Sequence, residues 1–271
     1  MRIRPNRETP DVMFARVALA FALLGGVSYA AVDRLGAATV TAPAGRDVAF
    51  SVNAECDIAT IDALWARHPE VRQFVLMATS DFAATHCTVE VAVRTAGGAW
   101  ECQRPARPAR FGRSGTRPLL ERRSGDGSTP AGVFPLGDVT AWDGQRFSIF
   151  GNRPDPGVLA PYRDVQPEDC WGATKNTARY QHLVNRPRCP GPADEWLPSY
   201  GDAYSHAAVI GANLDPISGD EPGEIPYAAA IFLHRTSYTS SGASKSTSGC
   251  VSLGYDDLVA AIRRLDPRLE P

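Results

Sequence analysis

His234 and Cys250 stand sixteen residues apart in the stretch AAAIFLHRTSYTSSGASKSTSGCVSL. A thiol with an ordinary pKa of about 8.5 is only a few per cent thiolate at neutral pH, so it needs a partner to act as a nucleophile. An imidazole within reach takes the thiol proton, stabilises the thiolate as an ion pair, and later returns the proton to a leaving amine. Thr247, Ser248 and Gly249 run directly into Cys250. Gly249 lets a substrate backbone come close. The N–H groups of Gly249 and Cys250 are candidates for an oxyanion hole, where one donor typically contributes ~3 kcal/mol to catalysis. On residue types and spacing alone, the opposing possibility is a buried structural cysteine and a strand-end histidine that never meet.

Elements on both sides must position this pair. The apolar runs at 207–211 and 228–233 are expected as buried strands, the second delivering His234 at its end. A Ser/Gly-rich return then brings Cys250 back. Beyond it, Leu258, Ala261, Ile262 and Leu265 recur at helix spacing, with Asp256 and Asp257 where acids complement the helix dipole. Ile58, Ile61, Leu64 and Trp65 share one face of a short helix over 57–67 that covers the domain. RQFVLMAT is of strand type, and the alternation of Cys87, Val89, Val91 and Val93, a turn at 96–98 and a return over 99–102 predict a β-hairpin. The Pro/Arg-rich 104–110 is expected as an extended, solvated loop. SGDGSTPAGVFPLG, at 124–137, reads as tight turns leading into a strand, with Asp126 holding a turn. Residues 151–203 form a long insertion of low periodicity, a kind of loop that is usually functional or stapled. His182 within it is expected to be solvated. His206 is expected to be packed or exposed, with substrate contact as the lesser role. Trp171 is expected either in the core or lining a cleft. The sum is a mainly β domain with few short helices.

Six cysteines, Cys56, Cys87, Cys102, Cys170, Cys189 and Cys250, form no CxxC pair and none lies at metal-ligand spacing from a histidine, so no metal is expected. Cys170 with Cys189 is the expected loop staple and Cys56 with Cys87 a second pairing, which leaves Cys102 and Cys250 as thiols.

Composition narrows the class. Hydrophobic residues at 44% and charged residues at 21% exclude a disordered chain. A net charge of -2 argues against a nucleic-acid partner, which needs a basic surface. A basic start and the uncharged run from Val17 to Val32 suit a signal peptide, or an uncleaved membrane anchor, over 1–32. Residues 33–69 then read as a linker and short helix. The expected location is exported: the cell envelope, periplasmic or secreted. No membrane contact is expected beyond that anchor, and oligomeric state is not legible.

SGDGSTPAGVFPLG followed far downstream by IFLH and TSGCVSL resembles the L,D-transpeptidase family, the YkuD-type catalytic domain, over roughly residues 70–268. The resemblance implies a mixed β-sandwich-like fold and a peptidoglycan stem-peptide substrate. It implies Cys250 as nucleophile and His234 as its base, oriented by a backbone carbonyl, with Thr247, Ser248 and Gly249 lining the site. The chemistry is two-step acyl transfer through a Cys250 thioester to an acceptor amine, with no cofactor. Two positions depart from the family pattern. Ser248 stands where a histidine is frequent, and Ser252 where an arginine is frequent. The alternatives are an L,D-carboxypeptidase, with water as acceptor, and a catalytically silent peptidoglycan-binding envelope protein.

Overall fold

The computed structural model describes residues 18–23, 55–214 and 223–269. Of the expected leader and linker, only Ala18–Leu23 and the residues from 55 onward fall within this set. The rest lies outside the described residues.

The chain is mainly β, with few short helices. Its centre is an eight-strand mixed sheet. In chain order the strands are β1 (Gln73–Thr79), β2 (His86–Arg94), β3 (Trp100–Arg110), β4 (Ile149–Gly151), β5 (Tyr162–Asp164), β6 (Ala207–Val209), β7 (Phe232–Arg235) and β8 (Val251–Leu253). Across the sheet they lie β5-β4-β6-β7-β8-β3-β2-β1. β7 and β8 are central neighbours. They run parallel, joined by the return that carries the cysteine turn. Ala18–Leu23 lies parallel to β1 and Val133–Phe134 antiparallel beyond it, extending that edge.

β1, β2 and β3 form the expected hairpin and its neighbour. The stretch 104–110, expected as a solvated loop, is instead the second half of β3. It pairs with β2 on one side and β8 on the other. The pairing slips between Val89 opposite Arg107 and Val91 opposite Arg104. Pro105 falls in that bulge, where a residue without an N–H costs the ladder nothing.

Alternation along the strands divides the apolar residues between the two faces. On β1, Val75 and Met77 join the main core with Phe111, Leu233, Val251 and Leu258. Helix α2 (Tyr255–Ile262) covers this side with Leu258, Ala261 and Ile262, as its spacing predicts. Phe74 and Leu76 face helix α1 (Ile58–Trp65), which buries Ile61 and Leu64. Asp57 caps α1 by accepting the Thr60 N–H at 3.1 Å, an arrangement typically worth ~1 kcal/mol.

On the other face of the central strands, Phe150, Val209 and Phe232 pack with Trp171, Leu197 and Tyr204 of the insertion. Trp171 is fully buried and belongs to this core rather than to a cleft wall. The insertion is held by its own three-stranded sheet, Leu183–Asn185, Asp169–Trp171 and Glu195–Trp196. A disulfide between Cys170 and Cys189 staples it, the pairing expected.

The second pairing is corrected. Cys56 bonds to Cys102, and Cys87 is a buried free thiol. The alternation of β2 turns Cys87 into the main core, away from α1. Cys102 faces the α1 side, where Cys56 precedes the helix. The expected end-of-strand position of His234 shifts slightly: β7 covers Phe232–Arg235, and His234 lies inside it.

Candidate functional site

The parallel register sets Leu233 beside Val251 and His234 beside Ser252. Cys250, one residue earlier, is therefore level with Phe232. Strand side chains alternate, so Phe232, His234, Cys250 and Ser252 share one face, the face the insertion covers. His234 and Cys250 are diagonal neighbours there. Both are half-buried.

The cysteine turn is held by the other motif. Thr247 Oγ1 donates to the Cys250 carbonyl oxygen at 2.5 Å, and Thr129 Oγ1 donates to the same oxygen at 3.3 Å. Thr129 also accepts the Gly112 N–H at 2.8 Å. Gly249 has φ 147°, outside the range that side-chain-bearing residues favour. A methyl group placed on it would lie 3.0 Å from the Ser128 carbonyl oxygen and 3.4 Å from Arg122 Nη2. The glycine is needed on both counts. The Gly249 N–H donates to Thr247 Oγ1 at 3.1 Å, so in this conformation it is engaged within its own turn. Asp126 accepts the N–H groups of Arg123 and Ser128, each at 2.8 Å, and holds the turn of its motif as expected.

His234 Nδ1 lies 2.8 Å from the carbonyl oxygen of Arg235. A carbonyl only accepts, so Nδ1 carries the proton and Nε2 keeps its lone pair. Burial pushes the imidazole down to about 4, against the opposing pull of that carbonyl. It is therefore neutral, a proton acceptor, across the physiological range.

Burial pushes the Cys250 thiol up to about 12. Glu195 adds to the shift, and the Phe232 backbone and the Arg122 guanidinium oppose it. Cys250 Sγ donates to the Ala230 carbonyl oxygen at 3.3 Å, and not to His234. Ala230 adopts φ 52°, unusual for a residue with a side chain. Gln181 of the insertion accepts the Ala230 N–H at 3.1 Å and the Trp171 indole N–H at 3.0 Å, and so helps fix this conformation. At rest the pair is a neutral thiol beside a neutral imidazole. The ion pair expected from the residue types is not the resting arrangement, because both charged forms are desolvated here. Proton transfer has to accompany attack on a substrate.

Three groups at the site escaped sequence reasoning. Arg122 is 1% exposed. It donates to the Tyr227 carbonyl oxygen at 2.6 Å and to Ser128 Oγ at 3.4 Å, and lies 3.5 Å from Asp126. It brings a buried positive charge beneath Gly249. Arg113, exposed at the lip, donates to Ser248 Oγ at 3.2 Å. The third group is acidic. Glu195 accepts from Tyr204 at 3.0 Å, and Tyr200 stacks on Tyr204 with ring centroids 4.4 Å apart. Tyr204 in turn meets the edge of His234, with centroids 5.5 Å apart. Burial holds the Glu195 carboxyl up at about 7. Nothing local in the sequence marks these residues. Arg122 is one of 26 arginines, and Glu195 and the tyrosines belong to an aperiodic insertion.

Ser252 is buried and accepts from Thr236 Oγ1 at 3.3 Å. His206 is buried against Asp155, its Nε2 3.1 Å from the carboxylate, and His182 is exposed. Among the described residues, no helix is long and apolar enough to cross a membrane. No family model, curated protein or solved structure matches this chain.

Proposed function

We propose that the protein is an exported L,D-transpeptidase-like acyltransferase acting on peptidoglycan stem peptides through Cys250, on the catalytic fold which that family resemblance implies. The observation that carries this is His234. Its Nδ1–H is committed to a backbone carbonyl, and its free Nε2 shares a sheet face with a thiol that is in no disulfide.

In the first step the Cys250 S–H proton passes to His234 Nε2 as Sγ attacks the donor carbonyl. The oxyanion then collapses, the C–N bond breaks, and His234 returns the proton to the departing amine. A thioester remains. In the second step His234 takes a proton from the acceptor amine, whose nitrogen forms the new amide bond, and the thiol is regenerated. Arg122 lowers the cost of negative charge on sulfur from beneath the turn. Arg113 supplies an exposed cation for a substrate carboxylate, compensating from the turn after β3 for the serine at 252. With water as the acceptor, the same site is a carboxypeptidase, and competition between amine and water in the assay separates the two.

The test is intact mass after incubation with a carbapenem, an acylating mimic of the donor. One covalent adduct is expected, absent in Cys250→Ala and slowed at least a hundredfold in His234→Ala. No adduct on a reduced Cys250 overturns the proposal and leaves the silent peptidoglycan-binding protein as the better account.

A further inference from the structure

The insertion carries a cavity of about 620 Å³, lined by Trp142, Arg179, His182, Leu183 and Arg186 among others. That volume falls within the usual range for small-ligand sites of ~300–1,000 Å³. Every titratable side chain on its wall is a base: two arginines and a histidine, with no carboxylate.

Trp142 is 53% exposed, yet it is fixed in place. Its backbone N–H donates to Leu183 at 3.1 Å, and its indole N–H to Asp169 Oδ1 at 3.2 Å. The Arg163 guanidinium lies 6.0 Å from the ring centroid. Arg163 is itself buried between two carboxylates, 3.0 Å from Asp169 and 2.9 Å from Asp143. A buried ion network thus holds an indole that remains half open to solvent. An indole held rigid while half open to solvent is a preorganised stacking platform, because its orientation is fixed before a ligand arrives.

Beside that ring, the Arg186 side chain is exposed, and among the described residues its hydrogen bond is to the neighbouring Asn185 carbonyl. Arg179 is tied to Asp194 at 2.8 Å and shapes the wall. A flat apolar platform next to one exposed guanidinium that no carboxylate among the described residues neutralises suits a ring with one C–H face and an anionic substituent. A pyranose bearing a carboxylate or a phosphate has this form. We propose that this groove binds an anionic saccharide, stacked on Trp142 with its charge on Arg186. The proposal stands whether or not Cys250 is catalytic.

The experiment uses the full chain and three probes on one hexosamine ring, followed by saturation-transfer NMR and indole fluorescence. N-Acetylmuramic acid carries a carboxylate, N-acetylglucosamine 1-phosphate a phosphate, and N-acetylglucosamine no charge. At least one anionic probe is expected to bind tenfold or more tightly than the neutral sugar. Which one does so distinguishes a wall-type carboxylate from a phosphorylated headgroup sugar. Trp142→Ala is expected to abolish binding, and Arg186→Gln to reduce the anionic probe to the level of the neutral one. Arg186 is an exposed side chain, so that variant folds even where Trp142→Ala does not. Cys250→Ala is expected to bind as the unaltered chain does. Equal binding of charged and neutral sugars, no binding of any probe, insensitivity to Arg186→Gln, or stronger binding of a short acidic peptide overturns the proposal.

Discussion

Glu195 adds to the effect of burial on a cysteine that it does not touch. Its ionised carboxylate raises the Cys250 thiol further above the value burial alone produces. Burial also keeps that carboxyl at about 7, so it gains its charge around neutrality. The sign follows: below pH 7 Glu195 is neutral and the thiolate is less opposed, and above it the charge holds the proton on sulfur. Glu195→Gln removes the charge at all pH values. At pH 9 the variant is expected to alkylate at Cys250 with iodoacetamide several-fold faster than the parent. An equal or slower rate would show that the carboxylate does not act on the thiol. His234 adds a second pH statement. An imidazole held at about 4 stays neutral from pH 5 upward, so in Glu195→Gln, where the carboxylate no longer titrates, acylation is expected to show no inflection near the ordinary histidine value of about 6.5. Of these residues the sequence displayed the histidine and the cysteine, because a motif carries them. It did not display Glu195, Tyr204 or Arg122, because only tertiary folding brings them to the turn.

At the level of elements, local pattern was readable wherever one face is apolar and the other is not. Both helices and the β2–β3 hairpin arose from such periodicity. It failed at 104–110, where two prolines and three arginines look like a loop. There a bulge absorbs Pro105, and Arg104 and Arg107 pair with Asp257 of α2 at 2.9 and 3.2 Å. The Cys56–Cys102 bond was unreadable for a related reason, since it depends on which way β2 and β3 face. It fastens the entry to α1 onto β3 across a sequence separation of 46. Chain-entropy arithmetic assigns a loop of that size about 4 kcal/mol. The double variant Cys56→Ala/Cys102→Ala is therefore expected to unfold at markedly lower urea concentration, with a larger m-value because its unfolded chain is no longer cross-linked. A loss below about 1 kcal/mol would mean that α1 docks on its apolar face alone.

For the whole molecule, the route to the folded state matters as much as its contacts. Cys87 is fully buried, and burial holds its thiol well above the ordinary range, so it is inert once folded. In the unfolded chain it competes. Cys56 and Cys87 lie 31 residues apart against 46 for the native pair, and loop closure differs between them by only about 0.4 kcal/mol in favour of the shorter loop. Oxidative refolding from the reduced chain is expected to pass through a Cys56–Cys87 species detectable by thiol trapping and peptide mapping. Cys87→Ala is expected to reach the native bond pattern in a single faster phase, and identical kinetics in that variant would exclude the trap. The native map skips the cysteine synthesised in between. A chain threaded N-terminus first into an oxidising surrounding can close the wrong pair before Cys102 has arrived. On the proposed export route, the yield would then depend on an isomerase beyond the translocation channel, a dependence written into the order of three cysteines rather than into any contact of the finished fold.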